Sequence, residues 1–171
     1  MTVIKVNISK DRFNPVYLSL LECDKMYIIL YGGAGSGKSV FAAQRFIIRM
    51  LREKMCNILV VRKVFATHKD STYALFRQII CKWGIEELFS FNKTQMCITC
   101  KNGNSALFKG LDDVEKLKSI TFDSGELNEI WIEEASEISE SDFNQLDIRL
   151  RGKNIKGQIT LSFNPISIQH W

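Results

Sequence analysis

At 171 residues the chain has the length of one domain and can bury a core without disulfide or metal staples. Its 46% hydrophobic and 25% charged content is that of a globular protein, and a formal net charge of +4 singles out neither nucleotide nor nucleic acid as a partner. Five cysteines, an odd number with no secretory signal, favour a reduced cytoplasmic setting over a disulfide framework, and no apolar stretch reaches membrane-spanning length. Two prolines, no Gly/Ser-rich linker and no internal repeat leave residues 1–171 as a single domain.

The first predicted element is an apolar strand, Met26 to Tyr31, which stops at glycines. Gly32 to Ser39 then matches GxxxxGK[ST], a phosphate-binding P-loop. Glycines at Gly32, Gly33, Gly35 and Gly37 let successive N–H groups approach phosphate oxygens, with Ala34 and Ser36 completing the turn. Lys38 supplies a point charge, Ser39 a hydroxyl for Mg²⁺, and the helix that carries Val40 points its positive dipole end at the phosphates. Helical periodicity runs to Glu53 through Phe41, Phe46, Ile47, Met50 and Leu51, and this strand–loop–helix setting argues against an ordinary glycine turn.

Further along, Asn57 to Lys63 reads as a strand buried on both faces, and Ser71 to Trp83 as a helix ended by Gly84. Segments 95–100 and 105–109 flank Asn102-Gly103 as a β-hairpin. A short helix capped by Asp112 or Asp113 runs to Ser119. Glu129 to Ile132 is a buried strand, and Ser139 or Ser141 caps a helix through Leu150 that Gly152 ends. Gln158 to Phe163 is the last strand, closed by Asn164-Pro165. Strands alternating with helices imply an α/β fold with a mainly parallel central sheet flanked by helices, and ligand sites at the carboxyl ends of the strands.

Hydrolysis needs an acid to help hold Mg²⁺ and a group to orient or deprotonate water. The run Ile130-Trp131-Ile132-Glu133-Glu134 has the form of a Walker B strand, with Glu133 toward the metal and Glu134 toward the water; the plainer reading is an acidic pair opening a helix. Glu133 stands where aspartate is more usual. Asn164 is placed to bond a γ-phosphate or the water, against the alternative of an Asx turn. Cys97 and Cys100 have half-zinc-site spacing, but i and i+3 diverge on a strand and His68 and His170 are remote in sequence. Lys109, Lys116 and Lys118 fit a solvated face better than a DNA contact, and Phe89 and Phe91 fit core packing.

Taken together, Tyr31–Ser39, Ile130–Glu137 and Ser162–Pro165, with Phe13-Asn14-Pro15 upstream and His170-Trp171 at the end, resemble the large terminase subunit of tailed bacteriophages, particularly the prophage type. The resemblance implies a P-loop NTPase fold, RecA-like and of the additional-strand catalytic glutamate class. It implies an ATP hydrolase with ATP and Mg²⁺ as cofactors, the motor that drives double-stranded DNA into a procapsid. Such a motor works as a homo-oligomeric ring on the portal protein with a small terminase subunit, in the cytoplasm of the bacterial host and away from membranes. It makes Lys38 and Ser39 the phosphate and Mg²⁺ residues, Glu133 the Walker B acid, Glu134 the catalytic carboxylate and Asn164 the coupling residue, with Phe13, Asn14 and Tyr17 beside the nucleotide.

Two departures stand out. Many relatives have arginine where this chain has Ala34, so the charge-stabilising cation has to come from elsewhere; the candidates are Arg62, Arg149 and Arg151, in cis or from a neighbouring subunit, although Arg151 equally suits a helix C-terminus. The chain also ends before the RNase H-like nuclease domain of such subunits, so no DNA cleavage is expected of it. Competing readings are a P-loop nucleotide kinase, which requires a lid of clustered arginines, and a truncated remnant that binds nucleotide without turnover.

Overall fold

The computed structural model describes residues 5–112, 120–151 and 157–165. The strands are β1 (Tyr27–Tyr31), β2 (Asn57–Arg62), β3 (Phe89–Asn92), β4 (Cys97–Cys100), β5 (Ser105–Gly110), β6 (Leu127–Glu133) and β7 (Gln158–Phe163), all but β3 expected from the sequence. The helices are α1 (Lys38–Arg52), α2 (Thr72–Lys82) and α3 (Glu140–Arg151). All seven strands form one sheet in the order β1-β7-β6-β2-β5-β4-β3. The strands from β1 to β5 in that order pair in parallel, and β4 and β3 add antiparallel at one edge. The predicted hairpin is β4 and β5, and β3 extends it. Residues 113–119 of the helix expected from Asp112, with Lys116 and Lys118, lie outside the described residues, as do Gly152 and His170-Trp171.

Strand periodicity divides the core into two layers. Ile58, Val60 and Trp131 face one side with Phe41, Phe46, Ile47, Phe76 and Phe108, under α1 and α2. Leu59, Val61, Ile130 and Ile132 face the other side with Leu146 and Leu150 of α3. This two-sided burial explains the near-continuous apolar runs of β2 and β6. Ser139 is the cap of α3: its hydroxyl accepts from the Asp142 N–H while the Asp142 carboxylate accepts from the Ser139 N–H, a reciprocal capping box. Gly157, just before β7, has no room for a side chain, since a Cβ there would collide with the Leu150 side chain. Among the described residues β1 pairs on one side only, with β7, and its outward Ile29 and Tyr31 are 57% and 70% exposed. No helix among them is long and apolar enough to cross a membrane.

The segment before β1 is pinned to α1. Arg45 donates to the carbonyls of Leu20 and Cys23, and Gln44 to that of Arg12. At the amino end of β6, Glu129 is buried and ion-paired with Arg49 at 2.8 Å and Arg45 at 3.9 Å; burial pushes its carboxyl up to about 7 against the pull of both arginines. His68 is buried as well. Its Nε2 donates to the Lys109 carbonyl and its Nδ1 accepts from Thr72, and burial brings its pKa down to about 4.

These two groups act on stability with opposite signs. Native His68 lacks a proton that the unfolded chain binds between pH about 4 and 6.5, so its contribution is present above that window and lost as pH falls through it. Native Glu129 keeps a proton that the unfolded chain releases between pH about 4.5 and 7, so its contribution is lost as pH rises through that window. Each amounts to about 3 kcal/mol at full extent. Urea midpoints across pH 4.5–7 are expected to rise with pH in Glu129→Gln relative to wild type and to fall with pH in His68→Gln; parallel profiles in all three proteins would refute both assignments.

Candidate active site

Parallel pairing brings the carboxyl ends of β1, β7 and β6 side by side. Tyr31 is opposite Phe163 and Glu133 is opposite Ser162, so the P-loop, Asn164 and Glu134 all leave the sheet at the same level. They surround a cavity of about 210 Å³ whose wall includes Ala34, Gly35, Lys38, Ser39, Glu134 and Asn164. Ser162 and Phe163 also line it. Residue pattern assigns neither of these two a role, the only cue being their place before Asn164.

Positive φ at Gly35 (+75°) and Gly37 (+85°) shapes the loop, and Gly37 accepts the first bond of α1 from Phe41 N–H at 2.9 Å. Lys38 folds back over it. Its Nζ donates to the carbonyls of Gly32 (2.8 Å) and Gly33 (3.0 Å), to Ser36 Oγ (3.2 Å) and to Asn164 Oδ1 (3.0 Å). Asn164 is therefore joined to the loop through the lysine, a contact that residue order alone does not reveal. Tyr17 holds the loop from outside: its hydroxyl donates to the Ser36 carbonyl at 3.1 Å and its ring stacks on Phe41. The Asn14 amide lies beside it, with Nδ2 3.7 Å from where a Gly37 Cβ would be, while the Asn14 oxygen accepts from Val16 N–H. Val40, in the first turn of α1, is 44% exposed.

Glu133 is 7% exposed, and burial pushes its carboxyl up against the opposing pull of a Ser39 hydrogen bond and the Arg62 charge. Its Oε2 is buried and without a hydrogen-bond partner; Arg62 Nε stands 3.7 Å away. A serine hydroxyl beside a carboxylate with one uncommitted oxygen fits a divalent cation bound to oxygen ligands. Glu134 follows in the left-handed region (φ +54°, ψ +51°), a conformation uncommon for a residue with a long side chain. That turn ends the strand at Glu133 and carries Glu134 to the cavity wall. Backbone strain of this kind concentrates at functional sites.

Three sequence expectations are corrected. Phe13 does not face the loop; it is buried in the core against Trp83, 6.0 Å between ring centroids. Arg149 and Arg151 are not at the cavity of their own chain, because α3 runs back from the end of β6 to the start of β7. Arg149 donates to the Ile120 carbonyl, and Arg151 donates to the Tyr27 hydroxyl and pairs with Asp147. Tyr27 is at the opposite end of β1 from the loop, roughly 13 Å away at about 3.3 Å per residue. Of the three candidate arginines, Arg62 is the one the fold brings to the site.

A sheet with β7 inserted between the P-loop strand and the strand that ends in Glu133, with a carboxylate just beyond, is that of a P-loop NTPase: RecA-like, in the additional-strand catalytic glutamate class. Over residues 24–171 the chain matches the family described as phage terminase large subunit, and it belongs to that family. It is 36% identical over 148 residues to the PBSX phage terminase large subunit of Bacillus subtilis (strain 168), covering 86% of this chain and 33% of that protein. It is 32% identical over 138 residues to the terminase large subunit of Bacillus phage SPP1, covering 78% and 32% respectively. The chain thus spans about a third of the length of these relatives. In fold it is similar to the large terminase from a thermophilic bacteriophage, with a TM-score of 0.72 at 16% identity over 93% of this chain and 40% of that one. The complex of that protein with ATP-γ-S gives 0.63 at 17% identity, over 83% and 33%.

Proposed function

We propose that this chain is the ATPase motor portion of a terminase large subunit, coupling hydrolysis of Mg²⁺-ATP to the movement of double-stranded DNA into a procapsid. The observation that carries this reading is the meeting of Lys38, Ser39 and Glu134 at one cavity, with the buried Glu133 carboxylate hydrogen-bonded to Ser39 behind it. In the proposed reaction the loop N–H groups and Lys38 hold the β- and γ-phosphates, Lys38 exchanging its carbonyl partners for phosphate oxygens. Ser39 and Glu133 hold Mg²⁺. Bound there, the metal would neutralise charge on the phosphate oxygens during transfer to water. Glu134 orients the attacking water and accepts its proton. Asn164, losing Lys38 as a partner, faces the γ-phosphate and passes its departure to β7. Asn14, Tyr17 and Val40 flank the nucleotide at the outer side of the loop.

The family supports the proposed partners: double-stranded DNA, a portal protein and a small terminase subunit, with the chain acting in a ring in the bacterial cytoplasm. A nucleotide-kinase reading would gather arginines over the cavity, and Arg149 and Arg151 are held elsewhere. The discriminating experiment measures phosphate release with and without duplex DNA. Mg²⁺-dependent turnover that rises with DNA is expected; phosphate transfer to a nucleoside monophosphate in preference to water would overturn the motor reading.

A further inference from the structure

We propose that Arg62 is a positioning residue that braces the metal-holding carboxylate of Glu133, with Ser71 as its anchor. This rests on the nucleotide-site reading above and goes beyond it in giving the arginine a role other than contact with the transferred phosphoryl group.

Arg62 is the last residue of β2, next to β6 in the sheet, and its side chain is 16% exposed. One end of its guanidinium is fixed: Nη1 donates to Ser71 Oγ at 2.8 Å, and Ser71 Oγ in turn donates to the Thr67 carbonyl at 2.6 Å. Ser71 is the residue preceding α2, where a serine hydroxyl ordinarily caps the helix by accepting from its first N–H groups. Here it makes no such bond, and its backbone is at φ −119°, ψ −102°. The hydroxyl is committed to the arginine instead.

The other end faces Glu133. Arg62 Nε and Glu133 Oε2 are 3.7 Å apart, both buried, and neither has a hydrogen-bond partner. That distance is beyond hydrogen bonding and within ion-pair range. The planar guanidinium, tied to Ser71 through Nη1, stands off from Oε2 by that gap. It compensates the buried carboxylate charge while leaving Oε2 uncommitted, which is what a carboxylate needs if it is to serve a cation beside Ser39.

Arg62→Lys and Ser71→Ala both keep the positive charge and change only how it is held. The test titrates Mg²⁺ against a fluorescent ADP analogue bound to the 171-residue chain, with metal-free affinity measured separately. Metal-free affinity is expected within about twofold of wild type, while the Mg²⁺ concentration for half-saturation rises about tenfold in both variants, as when supporting residues of a metal site are removed. An unchanged or lower Mg²⁺ requirement in folded Ser71→Ala, with or without loss of turnover, overturns the proposal; this variant carries the test if Arg62→Lys does not fold. Absence of Mg²⁺-dependent binding in the wild-type chain would instead sink the nucleotide-site reading, and this inference with it.

Discussion

Glu134→Gln is expected to bind nucleotide as the wild type does and to hydrolyse it about 10²- to 10⁴-fold more slowly, the range that removal of a general base produces. The amide keeps the size and hydrogen-bonding reach of the side chain and loses only the capacity to accept a proton from water. Single-turnover phosphate release after mixing with Mg²⁺-ATP, beside a binding titration, separates the two steps; equal turnover in both proteins would remove Glu134 from the mechanism. A companion substitution exploits the backbone. Glu134→Gly abolishes the same carboxylate but suits φ +54°. Relief of the left-handed conformation, about 1–2 kcal/mol, offsets the roughly 0.5–1 kcal/mol entropic cost of glycine. That variant is expected to be inactive yet at least as resistant to heat as the wild type, which a loss of folding could not mimic.

Lys38→Ala is expected to act one step earlier, weakening nucleotide binding by roughly a hundredfold, since charge-assisted hydrogen bonds to phosphate contribute about 3 kcal/mol. A second consequence distinguishes this lysine from one that simply waits for a ligand. It already donates to Gly32, Gly33, Ser36 and Asn164, so its loss leaves the loop carbonyls without their ammonium partner and unties Asn164 from the loop. The nucleotide-free protein should therefore lose protection from hydrogen exchange across 32–37. Fluorescent-nucleotide titration and exchange measured on the same preparation check both effects; near-wild-type affinity would refute the role of Lys38.

The parts of this site that are legible in the sequence are those where one residue type is required by local chemistry. Gly35 and Gly37 take positive φ in a loop that needs it, and β2 and β6 read as buried strands because apolar layers cover both faces. Asn102-Gly103 marks the hairpin for a similar reason: a tight turn between short strands demands φ > 0, and Gly103 supplies +95°. What local pattern leaves out is direction and distance. Arg149 and Arg151 are eligible for the site of their own chain only while the course of α3 is unknown; once that helix returns to the start of β7, they are carried to the far end of the sheet. Phe13 stands beside Asn14 and invites one role for both, yet neighbouring residues diverge, and an aromatic ring next to Trp83 is worth more buried than exposed. Strand β3 escapes recognition because four residues with two aromatics carry too little periodicity. The left-handed turn at Glu134 has no signature in residue type at all.

Trp131 gives this molecule a built-in optical reporter. Its indole is fully buried and stacked against Phe46 and Phe76, and its Nε1 donates at 2.9 Å to Ser162 Oγ, an atom of a residue that lines the cavity behind the P-loop. A phosphate settling against Ser162 or Phe163 would alter the field felt by the ring without touching it. Occupancy of the site should thus be readable as a change in intrinsic tryptophan emission, with no label attached to either protein or nucleotide.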